Sequence, residues 1–259
     1  MSSSGQDNRD DWDRHWDRFA QAATANPAQR MRHRLIARLL QAEARAGGNL
    51  RVCDFGSGQG DLVCGLSRAL LGASFVGLEL STSGVEISRR KVPRARFEVA
   101  DLFARIPEDF GLREWATHGV CSEVLEHVDD PRALLQAMLG YLAPGGVLVV
   151  TVPGGPMSAF DRHIGHRQHF NRRSIAALLA AAGYAVDRTY LAGFPFFNLY
   201  RLTVIARGRK LVDDVTARNG AAGCPVARAA MALYRGLFRF NLRDSPFGWQ
   251  VVAVARKRA

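Results

Sequence analysis

The sequence lacks several features that define a class of protein by themselves. It contains no apolar run of the ~18 to 20 residues that a membrane-spanning helix requires, and the first ten residues carry no apolar segment typical of a secretory signal. The four cysteines are scattered without a Cys-x-x-Cys pair, which argues against a zinc knuckle and a disulfide framework. We therefore predict reduced thiols and a cytoplasmic protein.

Lysine is also scarce. Only three of the 35 basic residues are lysines, and with 24 acidic residues the formal net charge is +11. This arginine-rich balance has two interpretations, a solvated surface or attraction to a polyanion such as RNA or to an anionic membrane. The rest of the composition, 47% apolar and 23% charged over 259 residues, is that of a globular protein with a substantial core.

Short apolar segments alternate with helical patterns from residue 50 onward. The strand candidates are residues 50–54, 74–80, 96–100, 118–122, 146–152, 185–191 and 249–255. The helix candidates between them are residues 61–71, 83–91, 131–142 and 173–182. This alternation predicts an α/β fold, a Rossmann-like, doubly wound seven-stranded sheet with helices on both faces.

Three further segments surround the sheet domain, which we assign to residues 48–192 with 248–259. Residues 1–10 are predicted to be disordered, and residues 11–47 to form N-terminal cap helices in which Trp12, Trp16 and Phe19 share one stripe. Residues 193–247 form a predicted helical insertion before the last strand, with long amphipathic segments at 194–212 and 225–240. We interpret it as a cap over the substrate pocket; an interfacial membrane surface or a nucleic-acid face are the alternatives.

A glycine-rich segment joins the first strand to the first helix. Residues 51–60 read Arg-Val-Cys-Asp-Phe-Gly-Ser-Gly-Gln-Gly, and glycines at such a turn let a ligand approach the backbone closely. A nicotinamide-type Gly-x-Gly-x-x-Gly loop requires a glycine where Asp61 stands. Acids stand at the ends of the first three strands, at Asp54, Glu79 and Asp101. Carboxylates suit a cationic ligand that also carries a ribose and an amino group, whereas they would repel a pyrophosphate.

These residues resemble the class I S-adenosylmethionine-dependent methyltransferases, as do residues 121–128, Cys-Ser-Glu-Val-Leu-Glu-His-Val, and residues 142–149. The resemblance implies methyl transfer from S-adenosylmethionine, with the N-terminal aromatic helix covering the cofactor. It places the ribose at Glu79 and the adenine at Asp101 and Leu102. The complete cofactor set that it implies is Asp54, Gly56, Ser57, Gly58, Glu79, Leu80, Asp101, Leu102 and Ser122.

A second constellation, Glu-x-x-Glu-His, follows the fourth strand. In a helical turn its three polar side chains would share one face, and two carboxylates with an imidazole can hold a hard cation such as Mg²⁺. The stretch is similar to ubiquinone-biosynthesis-type O-methyltransferases and to 3′-terminal RNA 2′-O-methyltransferases. The RNA family implies the metal ligands Glu123, Glu126, His127 and His166. The alternative is a metal-free role in which these residues cap the helix and contact the cofactor.

Three histidines lie close together in the predicted polar loop at residues 154–170. Without a metal, one of them is the natural general base, because imidazole titrates near neutral pH. His166 and His169 are favoured over His163 by the resemblance, and His127 is a further candidate. The predicted reaction is methyl transfer to an oxygen, less favourably a nitrogen, of a small-molecule acceptor that can carry an anionic group. RNA 3′ ends and a membrane-associated polyprenyl lipid are alternative acceptors.

Overall fold

A computed structural model describes residues 12–13, 26–45, 49–216 and 225–258. The predicted disorder of residues 1–10 and the aromatic residues Trp16 and Phe19 lie outside this described part. The strands are β1 (Arg51–Phe55), β2 (Ser74–Glu79), β3 (Arg96–Val99), β4 (Ala116–Ser122), β5 (Leu142–Pro153), β6 (Tyr184–Ala192) and β7 (Gln250–Lys257). The helices are α1 (Pro27–Arg45), α2 (Asp61–Ala69), α3 (Thr82–Lys91), α4 (Pro131–Leu139), α5 (Ala159–His163), α6 (Arg172–Ala181), α7 (Phe196–Thr216) and α8 (Pro225–Leu237).

All seven predicted strands join one sheet in the order β3-β2-β1-β4-β5-β7-β6. Strands β1 to β5 run parallel, and β7 runs antiparallel to both β5 and β6. The strand order reverses between β1 and β4, so the loops that leave these two strands diverge and open a crevice at their carboxyl ends. The predicted α/β, doubly wound fold is confirmed.

The central strands are apolar on both faces because helices cover both sides of the sheet. Leu148 and Val150 of β5 belong to a core that includes residues of α4 and α6. Val147 and Val149, which alternate with them, belong to a second core with α1, α2 and α3. The two cores fix the sheet between its helices, so the crevice stands on a rigid base.

The helices differ from the sequence prediction in three places. The predicted loop at residues 154–170 contains α5, which begins with a capping box between Ser158 and Asp161. The first helix of the insertion is interrupted at Gly208, whose backbone is not helical (φ 47°, ψ −125°). The second ends earlier than predicted, and a 3₁₀ turn, Phe238–Phe240, continues it. None of the helices in the described part combines the length and hydropathy that crossing a bilayer requires.

The insertion packs against the N-terminal half of α1. Met31 of α1, Phe197 of α7 and Phe238 form a small buried core there. The side-chain oxygen of Asn241 accepts hydrogen bonds from the first two amides of α7, which fixes the start of that helix. This packing brings the inner face of α7 to the open end of the crevice.

Candidate active site

The glycine-rich turn after β1 crosses the end of β2. The amide of Gly56 donates to the carbonyl of Leu78 at 2.8 Å. Gly56 has a φ of +74°, and a Cβ there would lie 2.6 Å from a Val124 methyl carbon. Gly60 has a φ of +75°, and a Cβ there would lie 2.8 Å from the Ser88 hydroxyl. Only glycine satisfies both the backbone conformation and the close approach at these positions.

Two carboxylates are buried beneath this turn. Glu79 accepts hydrogen bonds from the amides of Gly58 (2.8 Å) and Ser81 (3.0 Å), yet burial raises its pKa. Asp54 is 2% exposed, and burial together with the nearby charge of Glu79 raises its pKa to about 7. A cationic ligand stabilises the ionised form of both acids, so the turn is electrostatically prepared for one.

The third acid, Asp101, lies in the loop that follows β3, half-buried, and its carboxylate accepts from the amide of Phe103 at 2.9 Å. Because β1, β2 and β3 are neighbours in the sheet, their ends bring the three predicted acids to one edge.

Two cavities of about 350 Å³ and 210 Å³ adjoin at this edge, and both are lined by Gly56, Arg32 and Glu123. Each of the nine residues of the predicted cofactor set lines one or both of them. The smaller cavity is lined by Asp54, Gly56, Ser57, Gly58 and Ser122. The larger is lined by Gly56, Glu79, Leu80, Asp101 and Leu102, and also by Trp12. An elongated ligand can therefore occupy both cavities along the glycine turn.

Histidines form the wall of the larger cavity that faces α7. The rings of His127 and His166 line it and meet edge to face, with centroids 4.8 Å apart. His169 lies behind His166 and lines neither of these two cavities, and His163 is exposed at the end of α5. Burial, with the neighbouring His127, lowers the pKa of His166 to about 3.

The hydrogen bonds of His169 indicate which ring nitrogen carries the proton in His169 and in His166. Its Nδ1 lies 3.0 Å from the carbonyl oxygen of Gly155, which can only accept, so Nδ1 carries the proton. The Nε2 of a neutral His169 then accepts from the Nδ1 of His166, at 3.2 Å. His166 is therefore left with its lone pair on Nε2.

A candidate metal centre lies at the same wall. Among the described residues, Glu126, His127 and His166 bring three ligand atoms within 4.8 Å of one another. Glu126 is fully buried, and neither of its carboxylate oxygens has a hydrogen-bond partner in the described part of the chain. Burial, with the negative Glu123, raises its pKa well above the usual range. An orphaned buried carboxylate beside two imidazoles fits a divalent cation.

The predicted fourth ligand, Glu123, does not join this group. The turn after β4 is a 3₁₀ turn that covers only Leu125–His127, and Glu123 precedes it with a φ of 57°. Its carboxylate accepts from the side chain of Gln250 at 2.9 Å and lies 3.5 Å from the guanidinium of Arg32. The expectation that one helical face would carry both carboxylates therefore does not hold.

One pair of site residues was missed by the sequence analysis. Arg201 of α7 donates two hydrogen bonds to the carboxylate of Asp161 in α5, at 2.8 and 2.7 Å. Burial raises the pKa of Asp161, but the bonds and charge of Arg201 outweigh it and lower the pKa to about 2. The pair joins the insertion to the histidine loop. Only the capping pattern at Ser158 could have indicated that Asp161 lies in the first turn of a helix, and nothing local indicated its partner.

A family model described as a methyltransferase domain matches residues 28–189, and the chain belongs to this family. The chain is 29% identical to trans-aconitate 2-methyltransferase of Delftia acidovorans over 63% of this chain and 55% of the relative. It is also 29% identical to ubiquinone biosynthesis O-methyltransferase of Actinobacillus pleuropneumoniae over 47% and 53%. The matched segments thus span about half the length of these relatives.

A solved structure shares the fold. Phosphoethanolamine N-methyltransferase 2 of Haemonchus contortus, in complex with S-adenosyl-L-methionine, superposes with a TM-score of 0.54 at 18% identity. The match covers 85% of this chain and 52% of that one. Together the family match, the sheet order and the acid-lined cavities place the chain in the class I S-adenosylmethionine-dependent methyltransferase family.

Proposed function

We propose that the enzyme methylates a hydroxyl oxygen of a small, largely apolar acceptor bound in the larger cavity, and that His166 receives the hydroxyl proton. The observation that carries this proposal is the His166 ring in the cavity wall, with its Nδ1 held by His169 and its Nε2 lone pair left available.

The two adjoining cavities offer separate space for the cofactor and for the acceptor, which supports this proposal. The amino-acid portion of the cofactor would lie beside Asp54 in the smaller cavity, and the adenosine beside Glu79 and Asp101 in the larger. The sulfonium would then lie near Gly56, which lines both cavities, and the rest of the larger cavity would be left for the acceptor. Alignment of donor and acceptor for in-line displacement supplies much of the rate enhancement.

The low pKa of His166 suits a late proton transfer. As the methyl group bonds to a hydroxyl oxygen, that oxygen becomes positive and strongly acidic, so a base with a pKa of about 3 accepts its proton readily. The same low pKa keeps the imidazole unprotonated at neutral pH. The mechanism therefore requires no ionised acceptor beforehand.

The lining of the larger cavity favours an uncharged acceptor. Apolar side chains dominate the part near α7: Val128, Phe160, Ile164, Phe197, Val204 and Trp249. The two arginines in the described lining, Arg32 and Arg201, each face a carboxylate, so each pair has little net charge to offer an anion. A hydroxylated aromatic fits this surface better than the anionic acceptor expected from the arginine-rich sequence. The word O-methyltransferase in the name of the ubiquinone-biosynthesis relative agrees with oxygen as the target.

A metal-assisted mechanism for the same methyl transfer is a second candidate, and the orphaned carboxylate of Glu126 favours it. Glu126, His127 and His166 would hold the cation, and a set of two imidazoles and one carboxylate suits Mn²⁺, Fe²⁺ or Zn²⁺ better than the Mg²⁺ expected from sequence. Such a cation lowers the pKa of a coordinated hydroxyl. In this version Nε2 of His166 is a ligand instead of a base.

The test is a methyl-transfer assay with labelled S-adenosylmethionine. The panel holds phenols and catechols, tricarboxylic acids, primary amines, a polyprenyl phenol and RNA with a free 3′ end. We expect transfer to the phenolic hydroxyls and a loss of about 10²- to 10⁴-fold in His166→Ala, with cofactor binding kept. His163→Ala, a change at an exposed histidine outside both cavities, is the control. Transfer only to amines, acids or RNA would contradict the proposed acceptor class.

Metal analysis of the purified protein separates the two versions. A stoichiometric divalent metal that is absent from His127→Ala, while S-adenosylhomocysteine still binds, supports the metal-assisted version. Protein without metal that remains active in a chelator supports His166 as the base.

A further inference from the structure

A third cavity, of about 400 Å³, lies between α1 and the turn after α8, apart from the two cofactor cavities. Four exposed arginines surround it: Arg34 and Arg38 of α1, Arg239 of the turn, and Arg243 of the loop that follows the turn. Its floor is apolar, formed by Met31, Leu35 and Phe238. The described residues that line this arginine cavity include no acid. It therefore presents concentrated positive charge above an apolar base.

Helix α8 carries an exposed apolar stripe beside this cavity. The stripe recurs every three or four positions and continues into the turn after the helix: Ala229, the adjacent pair Ala232 and Leu233, Gly236 and Phe240. Leu233 is 61% and Phe240 is 72% exposed. The opposite face of the helix, with Tyr234 and Phe238, packs toward α1 and α7. Helix α8 thus has an apolar face on each side, one covered by the protein and one open to solvent.

Arginines follow one edge of the exposed stripe. Arg228, Arg235 and Arg239 recur at helical spacing along it, and Arg239 also lines the arginine cavity. Between residues 225 and 249 the sequence contains a single acid, Asp244. The stripe and the cavity are therefore one continuous surface, apolar in the middle and cationic at its edge.

We propose that this surface binds an anionic bilayer, with lipid phosphate groups in the arginine cavity and with Leu233 and Phe240 in the interfacial layer. Apolar side chains flanked by arginines match the chemistry of that interface. A second copy of the chain would bring arginines against arginines with one acid to compensate them. A nucleic acid would match the charge and leave the leucine and its neighbouring apolar residues in water.

The arrangement places the bilayer beside the active site. The insertion that carries the stripe also contributes Phe197 and Tyr200 to the wall of the larger cavity. An acceptor dissolved in the bilayer would thus reach the cavity along α7. Membrane binding itself does not depend on which acceptor is methylated, so it can fail or hold independently of the proposed function.

The first experiment is co-sedimentation of the wild-type protein with vesicles. Mixed phosphatidylglycerol and phosphatidylcholine vesicles should bind the protein, and phosphatidylcholine alone should not. Binding should weaken as salt concentration rises, since charges at the surface are screened. Failure to sediment with the mixed vesicles, binding of inorganic phosphate that leaves sedimentation absent, or tighter binding to RNA than to vesicles would each overturn the proposal. So would a protein that simply dimerises through α8.

Two double variants locate the surface. Arg239→Gln with Arg243→Gln should weaken vesicle binding roughly thirtyfold, about fivefold for each charge removed. Leu233→Ser with Phe240→Ser should weaken it at least tenfold and leave the salt dependence in place. The matched control, Arg90→Gln with Arg105→Gln, removes two exposed charges elsewhere. All three variants should bind S-adenosylhomocysteine as the wild type does, which shows that they fold. Equal losses in the control would show that net charge alone, and not this surface, binds the vesicles.

Discussion

The Nδ1 of His166 and the Nε2 of His169 lie 3.2 Å apart, and with His169 neutral this contact leaves the lone pair of His166 on its Nε2. The carbonyl of Gly155 anchors the far side of His169. The two histidines that the sequence offered as alternative bases therefore have different positions. In the proposed mechanism, His166 meets the reacting atoms and His169 positions the His166 ring.

We expect His169→Leu to lower kcat by about 10- to 100-fold with little change in the KM for S-adenosylmethionine, because His166 loses its fixed tautomer. His169→Gln should retain most of the activity, since one amide can accept from His166 and donate to Gly155. Steady-state kinetics of both variants across pH provide the measurement. Equal activity of His169→Leu and the wild type would remove the positioning role.

Cofactor binding should depend on pH through Asp54. Its pKa of about 7 means that the carboxyl takes up a proton as the pH falls below neutrality, and a protonated Asp54 attracts a cationic ligand less. Affinity for S-adenosylmethionine should therefore fall between about pH 8 and pH 6, and binding should release protons near pH 7. Calorimetry in buffers of different ionisation enthalpy measures both. Asp54→Asn should bind weakly and show no such pH dependence.

The ionised carboxylate of Asp54 should also lower the free energy of unfolding. The raised pKa means that the folded protein holds this proton more tightly than the unfolded chain, whose Asp titrates near 3.8, so stability from this group falls as the pH rises from about 4 to 7. Asp54→Asn should raise the free energy of unfolding at pH 8 on the order of 2–4 kcal/mol. Urea unfolding at pH 8 and at pH 4 tests this. A gain that is the same at both pH values would point to packing instead of charge.

Gly56→Ala should abolish cofactor binding. An alanine at a φ of +74° is strained, and its methyl group would displace Val124 at the boundary of the two cavities. Gly65→Ala is the matched control, because a Cβ at that exposed position of α2 meets nothing within 4 Å; it should raise stability by up to about 1 kcal/mol. Calorimetric binding of S-adenosylhomocysteine compares them. Wild-type affinity in Gly56→Ala would show that the turn can adapt.

Loss of the Asp161–Arg201 pair should destabilise the protein strongly. Asp161 is 1% exposed, so Arg201→Met leaves a buried charge without its partner and should cost about 3–5 kcal/mol. The double variant Arg201→Met with Asp161→Asn should recover much of that loss. The exposed pair Arg105–Glu108 is the comparison, and Arg105→Met should change stability by less than about 1 kcal/mol. Thermal unfolding that is equal for Arg201→Met and Arg105→Met would contradict the buried pair's importance.

The sequence by itself determined the sheet and the cofactor edge. Alternating strands and helices define a doubly wound fold, and the residues after β1, β2 and β3 must meet at one edge because parallel neighbours end there together. The glycine turn and the acids Asp54, Glu79 and Asp101 could thus be placed from local pattern alone. The family match agrees with this class of enzyme.

Only the tertiary structure decided where the residues around the proposed acceptor space lie. Glu123 turns toward Gln250, which is 127 residues away, and Arg201 reaches Asp161 across 40 residues. Contacts over such separations depend on how the insertion packs on α1, and no local periodicity encodes that packing. The hydrogen bond between His166 and His169 joins residues that are close in sequence, but the irregular loop after α5 sets its geometry. For that reason the sequence pattern predicted the histidines as candidates, whereas only the fold showed which of them lines the cavity.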